Sequence, residues 1–183
     1  MKKLCLCLLY VVVGLPSQSI LAEPPSEPAF ESVQRSDYYD MLRRSDLALR
    51  DKQNTNVLAS QQRLACAGSQ ANQAALGGLY LTGRGVSKDD ITGYAWLKLA
   101  ATSGVPKYRE LAEILEQSMT TAQRTSADAK VAGLKSLYAP IPTHMNCSQV
   151  EAGGSHLKEL RCEPESVTTH SSLVWLKRCV STP

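Results

Sequence analysis

Between Ala74 and Gly104 the chain reads AALGGLYLTGRGVSKDDITGYAWLKLAATSG, and the order of glycines, aromatics and alanines in it decides the fold. Gly77 and Gly78 stand side by side within Ala71–Leu81, a segment otherwise composed as a helix. Each glycine costs a helix about 1 kcal/mol relative to alanine. Their presence implies a second helix crossing close to Gly77, where a side chain would hold the two apart. Thr82–Lys88 contains Gly83 and Gly85, both free to take positive φ, and reads as a turn, with Ser87 or Asp89 placed to cap the next helix. That helix runs to about Ser103, with Tyr94, Trp96, Leu97, Ala100 and Ala101 on one broad face and Lys98 directed away from it. Gly104 ends it, and Pro106 can open another at its first turn.

Working outward, Ser36–Arg50 carries Tyr39, Met41, Leu42, Leu47 and Leu49 at helical spacing, and a second helix capped by Asn54 or Thr55 runs to Ala67, where Gly68 stops it. Leu64, Ala65 and Gly68 recur as Ala100, Ala101 and Gly104, an offset of 36 residues, which lies in the range of helical arrays. The helix before Ala71 is therefore the second helix of a preceding, eroded unit, with Ser60 standing where the next unit has Trp96. Downstream, Tyr108–Met119 and Thr125–Tyr138 keep helical spacing and serve as caps, before Ala139–Pro142 breaks the pattern.

Leu76-Gly77-x-x-Tyr80-x-x-Gly83-x-Gly85-Val86-x-x-Asp89, followed by Trp96-x-x-x-Ala100-Ala101-x-x-Gly104, resembles a Sel1-like repeat, the bacterial relative of the tetratricopeptide repeat. The likeness covers one complete unit, residues 69–104, and a partial one from about Leu58 to Ala67. Gly93 departs from the usual alanine, which loosens the second helix, and Gln70 and Asn72 replace small residues. The resemblance implies an all-α fold: a short α-α repeat solenoid of Sel1/tetratricopeptide-like type with capping helices, because one unit cannot bury both its faces. It also implies a protein-binding surface lined by the first helix of the unit, which makes Gln70, Gln73 and Arg84 the candidate partner contacts.

At the N-terminus, Lys2 and Lys3 precede an apolar run, Leu4–Leu15, and a small residue at Ala22, so residues 1–22 read as a cleaved secretory signal. The run is shorter than the roughly 20 apolar residues that span a bilayer, and no membrane insertion is expected after cleavage. Residues 23–35 begin with EPPSEPAF and read as an extended linker, residues 36–139 as the helical repeat domain, and residues 140–183 as a cysteine-containing C-terminal appendage with one helix or strand at Leu173–Leu176. Loss of Lys2 and Lys3 leaves 18 basic against 17 acidic residues, which supplies no clustered basic stripe and makes nucleic acid an unexpected partner.

Cys66, Cys147, Cys162 and Cys179 survive removal of the signal, and an even number in an exported chain favours two disulfides. Three pairings are open; Gly153 and Gly154 between Cys147 and Cys162 favour a bond between those two, which would leave Cys179 to tie the tail to Cys66. A metal site drawing on His144, Cys147, His156, Cys162 and His170 is the sharper alternative, but the spacings match no zinc pattern, and no metal or cofactor is expected.

Catalytic signals are sparse. Ala67-Gly68-Ser69-Gln70-Ala71 lacks the second glycine of a nucleophile elbow, and Gly83-Arg84-Gly85 lacks the third glycine and the strand of a dinucleotide loop. Taken together, the residues and the resemblance point to an exported, non-catalytic scaffold or adaptor in the periplasm or outside the cell, binding another envelope or secreted protein. The alternative is a cell-wall-related enzyme or inhibitor of β-lactam-binding type, with which some cysteine-rich relatives of this family have been associated. Ser155-x-x-Lys158 matches only the bare spacing that such an enzyme requires. A third reading is a disulfide-stabilised module whose tail carries the specificity.

Overall fold

The computed structural model describes residues 29–151 and 158–180. The expected signal, residues 1–22, and Ser155 of the Ser-x-x-Lys spacing lie outside these described residues. The elements run in the order β1 (Phe30–Gln34), α1 (Arg35–Arg50), α2 (Val57–Cys66), α3 (Gln70–Thr82), α4 (Asp90–Ala100), α5 (Pro106–Ser118), α6 (Thr121–Tyr138), β2 (Met145–Glu151), β3 (Lys158–Pro164) and β4 (Leu173–Lys177).

Helix α4 lies at the centre and packs against α3, α5 and α6. Gly93, Tyr94, Ala95, Trp96, Leu97, Leu99 and Ala100 are all buried, the pattern of a helix covered on nearly every side. Local chemistry sets its ends. Asp89 is the N-cap and accepts a hydrogen bond from the backbone N–H of Thr92 at 2.9 Å, satisfying one donor that the helix itself leaves unpaired. A short 3₁₀ turn, Ala101–Ser103, follows α4 and closes at Gly104 with φ of 80°, a left-handed conformation that glycine adopts without steric cost. Pro106 then begins α5, where its missing N–H is no loss.

Gly77 of α3 meets Gly93 of α4: a Cβ at Gly77 would lie 2.8 Å from the Gly93 carbonyl oxygen. The close crossing expected at Gly77 is thus present, and it requires Gly93 as well: the departure from alanine there makes room for α3. Trp96 is buried elsewhere on α4. Its ring stacks on Tyr138 of α6 at a centroid distance of 5.4 Å and 23° between planes, in a cluster with Ala65, Cys66, Leu76 and Leu99. The hole that receives the indole is therefore built from α2, α3 and α6, and the paired glycines serve a separate backbone contact.

The chain is not purely all-α. Strand β1 pairs antiparallel with β4, from Phe30 opposite Lys177 to Gln34 opposite Leu173, and β2 pairs antiparallel with β3, with Cys147 opposite Cys162. Residues 30–34, assigned to a linker from the proline-rich composition just upstream, are held as a strand because β4 covers them. Val174 and Leu176 of β4 are buried and alternate with half-buried neighbours, and they join Tyr38, Leu64, Ala67 and Met145 in one apolar cluster. The tail is thereby part of the core and not an appendage. Disulfides Cys66–Cys179 and Cys147–Cys162 fix it.

Candidate functional site

Two of the three residues expected to contact a partner, Gln73 and Arg84, hold helix ends in place. Gln73 is only 1% exposed; its amide nitrogen donates to the Ala65 carbonyl at 3.1 Å and the Tyr138 carbonyl at 2.9 Å, joining the C-terminal ends of α2 and α6. Its assignment as a surface contact is corrected: the carbonyls of a helix's last turn lack intrahelical donors, and Gln73 supplies one. Arg84 is half-buried, and its guanidinium donates to the carbonyls of Leu49 at 2.7 Å, Ala48 at 3.2 Å and Asp51 at 2.6 Å. It caps the C-terminal end of α1, where a cation also opposes the helix dipole. Gln70 is half-buried with its amide nitrogen covered. The structure does not bring the three together on an open face.

A recessed surface instead lies on both sides of α2. Between α1 and α2 is a cleft of about 290 Å³ whose apolar floor is Met41, Ala48 and Leu64, with Arg44 and Arg63 among its polar lining. Between α2 and the β1–β4 pair is a second cleft of about 470 Å³, where Ala59, Ala67 and Leu176 meet Glu31, Lys177 and Arg178. Arg63 lines both. It is an exposed residue on the α2 ridge, and its guanidinium donates to Glu31 at 2.9 Å, while Arg178 reaches the same carboxylate at 3.6 Å.

The walls of these clefts are rigid for identifiable reasons. Under the first, Ser45, Gln61, Ser69 and Asn72 form a buried network. The Asn72 amide donates to Gln61 Oε1 at 2.7 Å and to Ser45 Oγ at 2.9 Å, the Gln61 amide donates to the Ser45 carbonyl at 2.7 Å, and the Ser69 hydroxyl donates to Asn72 Oδ1 at 2.6 Å. Because these groups satisfy one another inward, the network locks α1, α2 and α3 without leaving an unpaired polar floor. Asn72, a departure from the repeat pattern, is what makes the network possible. Beside the second cleft, the Cys66–Cys179 bond holds the exit of β4 against α2. Lys177 donates to the Pro142 carbonyl at 3.2 Å, and its ammonium sits over the rings of Phe30 and Tyr138 at 5.6 and 5.9 Å. Partial burial holds its pKa below the ordinary lysine value.

Sequence reasoning missed this surface because its parts are remote along the chain: Arg63 and Lys177 belong to elements that only the tail disulfide and the β1–β4 pairing bring together. Among the described residues the tail histidines do not converge with the cysteines on a metal site: Cys147 and Cys162 are bonded to one another, and His144 faces Glu165 at 3.3 Å, while His156 lies outside the described residues.

No protein-family model matches the chain, and no curated protein sequence matches it. Among solved structures it is similar to a protective antigen present in uropathogenic Escherichia coli strains, described as displaying an SLR fold, with 23% sequence identity and a TM-score of 0.51. The likeness covers 63% of this chain and 27% of that one, so this chain spans about a quarter of the antigen's length. The architecture is that of a Sel1-like helical repeat, elaborated here by two short strand pairs and two disulfides. Among the described residues no helix is long and apolar enough to cross a membrane. The two disulfides are compatible with a place outside the cytoplasm.

Proposed function

We propose that this protein is an exported, non-catalytic scaffold whose helical-repeat surface holds another envelope or secreted protein. The observation that carries the reading is the pair of clefts flanking Arg63, recessed between elements that a buried hydrogen-bond network and a disulfide hold in fixed relation. A partner meeting a preformed surface loses less ordering entropy than one that must organise its receptor. The Sel1-like architecture supports the same reading, since stacked helix pairs expose continuous faces on rigid supports.

Deleting the tail would be a poor test, because it would remove β4 and the partner of Cys66. A photo-crosslinking residue placed at Ser60, which lines the α1–α2 cleft, is the direct one, with the exposed Gln117 of α5 as the comparison position. The expected result is a discrete protein adduct in the native envelope from position 60 and none from position 117. Absence of an adduct from position 60, and from positions on each of the other helices in turn, would sink the scaffold reading.

A further inference from the structure

We infer that the segment of the partner seated on this surface is acidic, with apolar side chains on either side of a carboxylate that binds at Arg63. The inference rests on the scaffold reading and specifies its ligand. Arg44, Arg63, Lys177 and Arg178 line the two clefts together with Glu31. Arg44 is paired with Asp40 at 3.6 Å and the Lys177 ammonium is held at the Pro142 carbonyl, so Arg63 and Arg178, which share the one carboxylate of Glu31, form the positive centre of the surface. This local excess stands on a chain whose overall formal charge is only +3, so it is a feature of the site and not of the composition. Complementary potential selects partners and raises their rate of encounter.

Geometry narrows the ligand further. Arg63 stands on the ridge between two clefts, each with an apolar floor, so an occupant of both must cross that ridge. A small anion would satisfy Arg63 and leave both floors wet. A peptide that lays one apolar side chain into each cleft and a carboxylate across the ridge uses every part of the surface. Glu31 already marks the position: it receives Arg63 and Arg178 together, and an incoming carboxylate has the same guanidinium groups to share. Bidentate geometry is open to arginine and suits carboxylates. A flat anionic surface such as a bilayer has no side chains to fill recessed apolar floors, which is why a peptide is the favoured occupant.

The probes are capped decapeptides: one alternating Glu and Leu, one alternating Glu and Ala, and one alternating Lys and Leu. Binding to the oxidised protein is followed by amide chemical shifts and titration calorimetry. The Glu/Leu peptide is expected to perturb α1, α2 and β4, to weaken as salt rises from about 0.05 M to about 0.5 M, and to bind about tenfold more tightly than either of the others. Arg63→Glu is expected to abolish the difference between the Glu/Leu and Lys/Leu peptides, and Ser60→Trp, which fills the first cleft while leaving the charges in place, is expected to weaken the Glu/Leu peptide. Equal binding of the Glu/Leu and Lys/Leu peptides, shifts confined to other helices, or binding of phosphatidylglycerol vesicles with no peptide binding would each overturn the inference. The position-60 adduct separates this failure from failure of the scaffold itself: an adduct that persists in Arg63→Glu keeps the scaffold and discards the acidic segment.

Discussion

Gly77 and Gly93 face each other across the α3–α4 crossing, and each has its carbonyl oxygen where the other's side chain would begin: a Cβ at Gly77 would lie 2.8 Å from the Gly93 oxygen, and one at Gly93 would lie 2.9 Å from the Gly77 oxygen. Backbone on both sides leaves no flexible group to yield. A Cβ added at Gly78, one residue along, meets nothing within 4 Å. Adjacent glycines in one helix therefore carry opposite expectations. Gly77→Ala is expected to destabilise the protein by about 1–3 kcal/mol through overpacking, whereas Gly78→Ala is expected to stabilise it by up to about 1 kcal/mol through helix propensity and a less flexible unfolded chain. Urea denaturation of the two variants checks this, and equal effects would remove the close crossing from the account of the fold.

Gln73 separates a structural role from a binding one. Replacing it with Leu leaves the Tyr138 carbonyl, at the end of α6, without the donor that reaches it at 2.9 Å. A buried acceptor left unsatisfied costs about 1–3 kcal/mol, so Gln73→Leu is expected to lower the thermal midpoint clearly, with the largest loss of amide protection at the C-terminal end of α6. Partner adduct formation from position 60 is expected to persist at temperatures where the variant is folded. A variant of unchanged stability would return Gln73 to the surface.

The helix-turn-helix core was legible in sequence because glycine, proline and capping residues act locally, and the 3.6-residue period extends over enough turns to stand out. Gly104 and Pro106 mark an end and a beginning that need no tertiary context. Asn72 and Gln73 were not legible in the same way. A polar side chain on a helix reads as exposed unless its acceptor is known, and the Tyr138 carbonyl lies 65 residues away. Strands β1, β2 and β3 were hidden, for two reasons. Phe30–Gln34 sits beside proline-rich composition, while Met145–Glu151 and Lys158–Pro164 show no apolar alternation, because β2 is exposed along much of its length and its pairing is fastened at Cys147–Cys162. The cysteine count anticipated that staple but not that the tail completes the core.

Between α4 and α5, Glu116 accepts hydrogen bonds from Lys98 at 2.7 Å and Tyr94 at 3.0 Å. The Lys98 bond, and after it the Tyr94 bond, holds the Glu116 carboxyl below its ordinary pKa, and the same bond raises that of Lys98. A carboxyl with a depressed folded-state pKa contributes stability above its unfolded value, about 4.3, and loses that contribution as pH falls through the lower folded value. For Lys98 the sign reverses, and the contribution persists until pH rises through its raised value. Glu116→Gln is therefore expected to lower the thermal midpoint by a constant amount from about pH 6 to about pH 8 and by a shrinking amount below about pH 4. A gap that does not narrow in acid would mean that Glu116 acts through packing and not through its charge.

The two disulfides differ in what they constrain. Cys66–Cys179 spans a separation of 113 residues and joins α2 to the end of the tail, whereas Cys147–Cys162 spans 15 and closes a hairpin. Chain-entropy arguments assign about 4–5 kcal/mol to a loop of the first size and about 3 kcal/mol to one of the second. The structure adds a reason for the same order: beyond Cys179, the Val180 N–H donates to the Tyr138 hydroxyl at 3.0 Å, and Tyr138 is the ring on which Trp96 stacks. Releasing the tail there loosens the packing of the central helix, whereas opening the hairpin leaves α4 covered. Replacing both residues of each pair with Ser is expected to lower the urea midpoint more for Cys66 and Cys179 than for Cys147 and Cys162, and only the first replacement is expected to shift Trp96 fluorescence toward that of a solvated indole, read in a Trp175→Phe background. Equal midpoints and unchanged emission would show that the tail is held by its strand pairing alone.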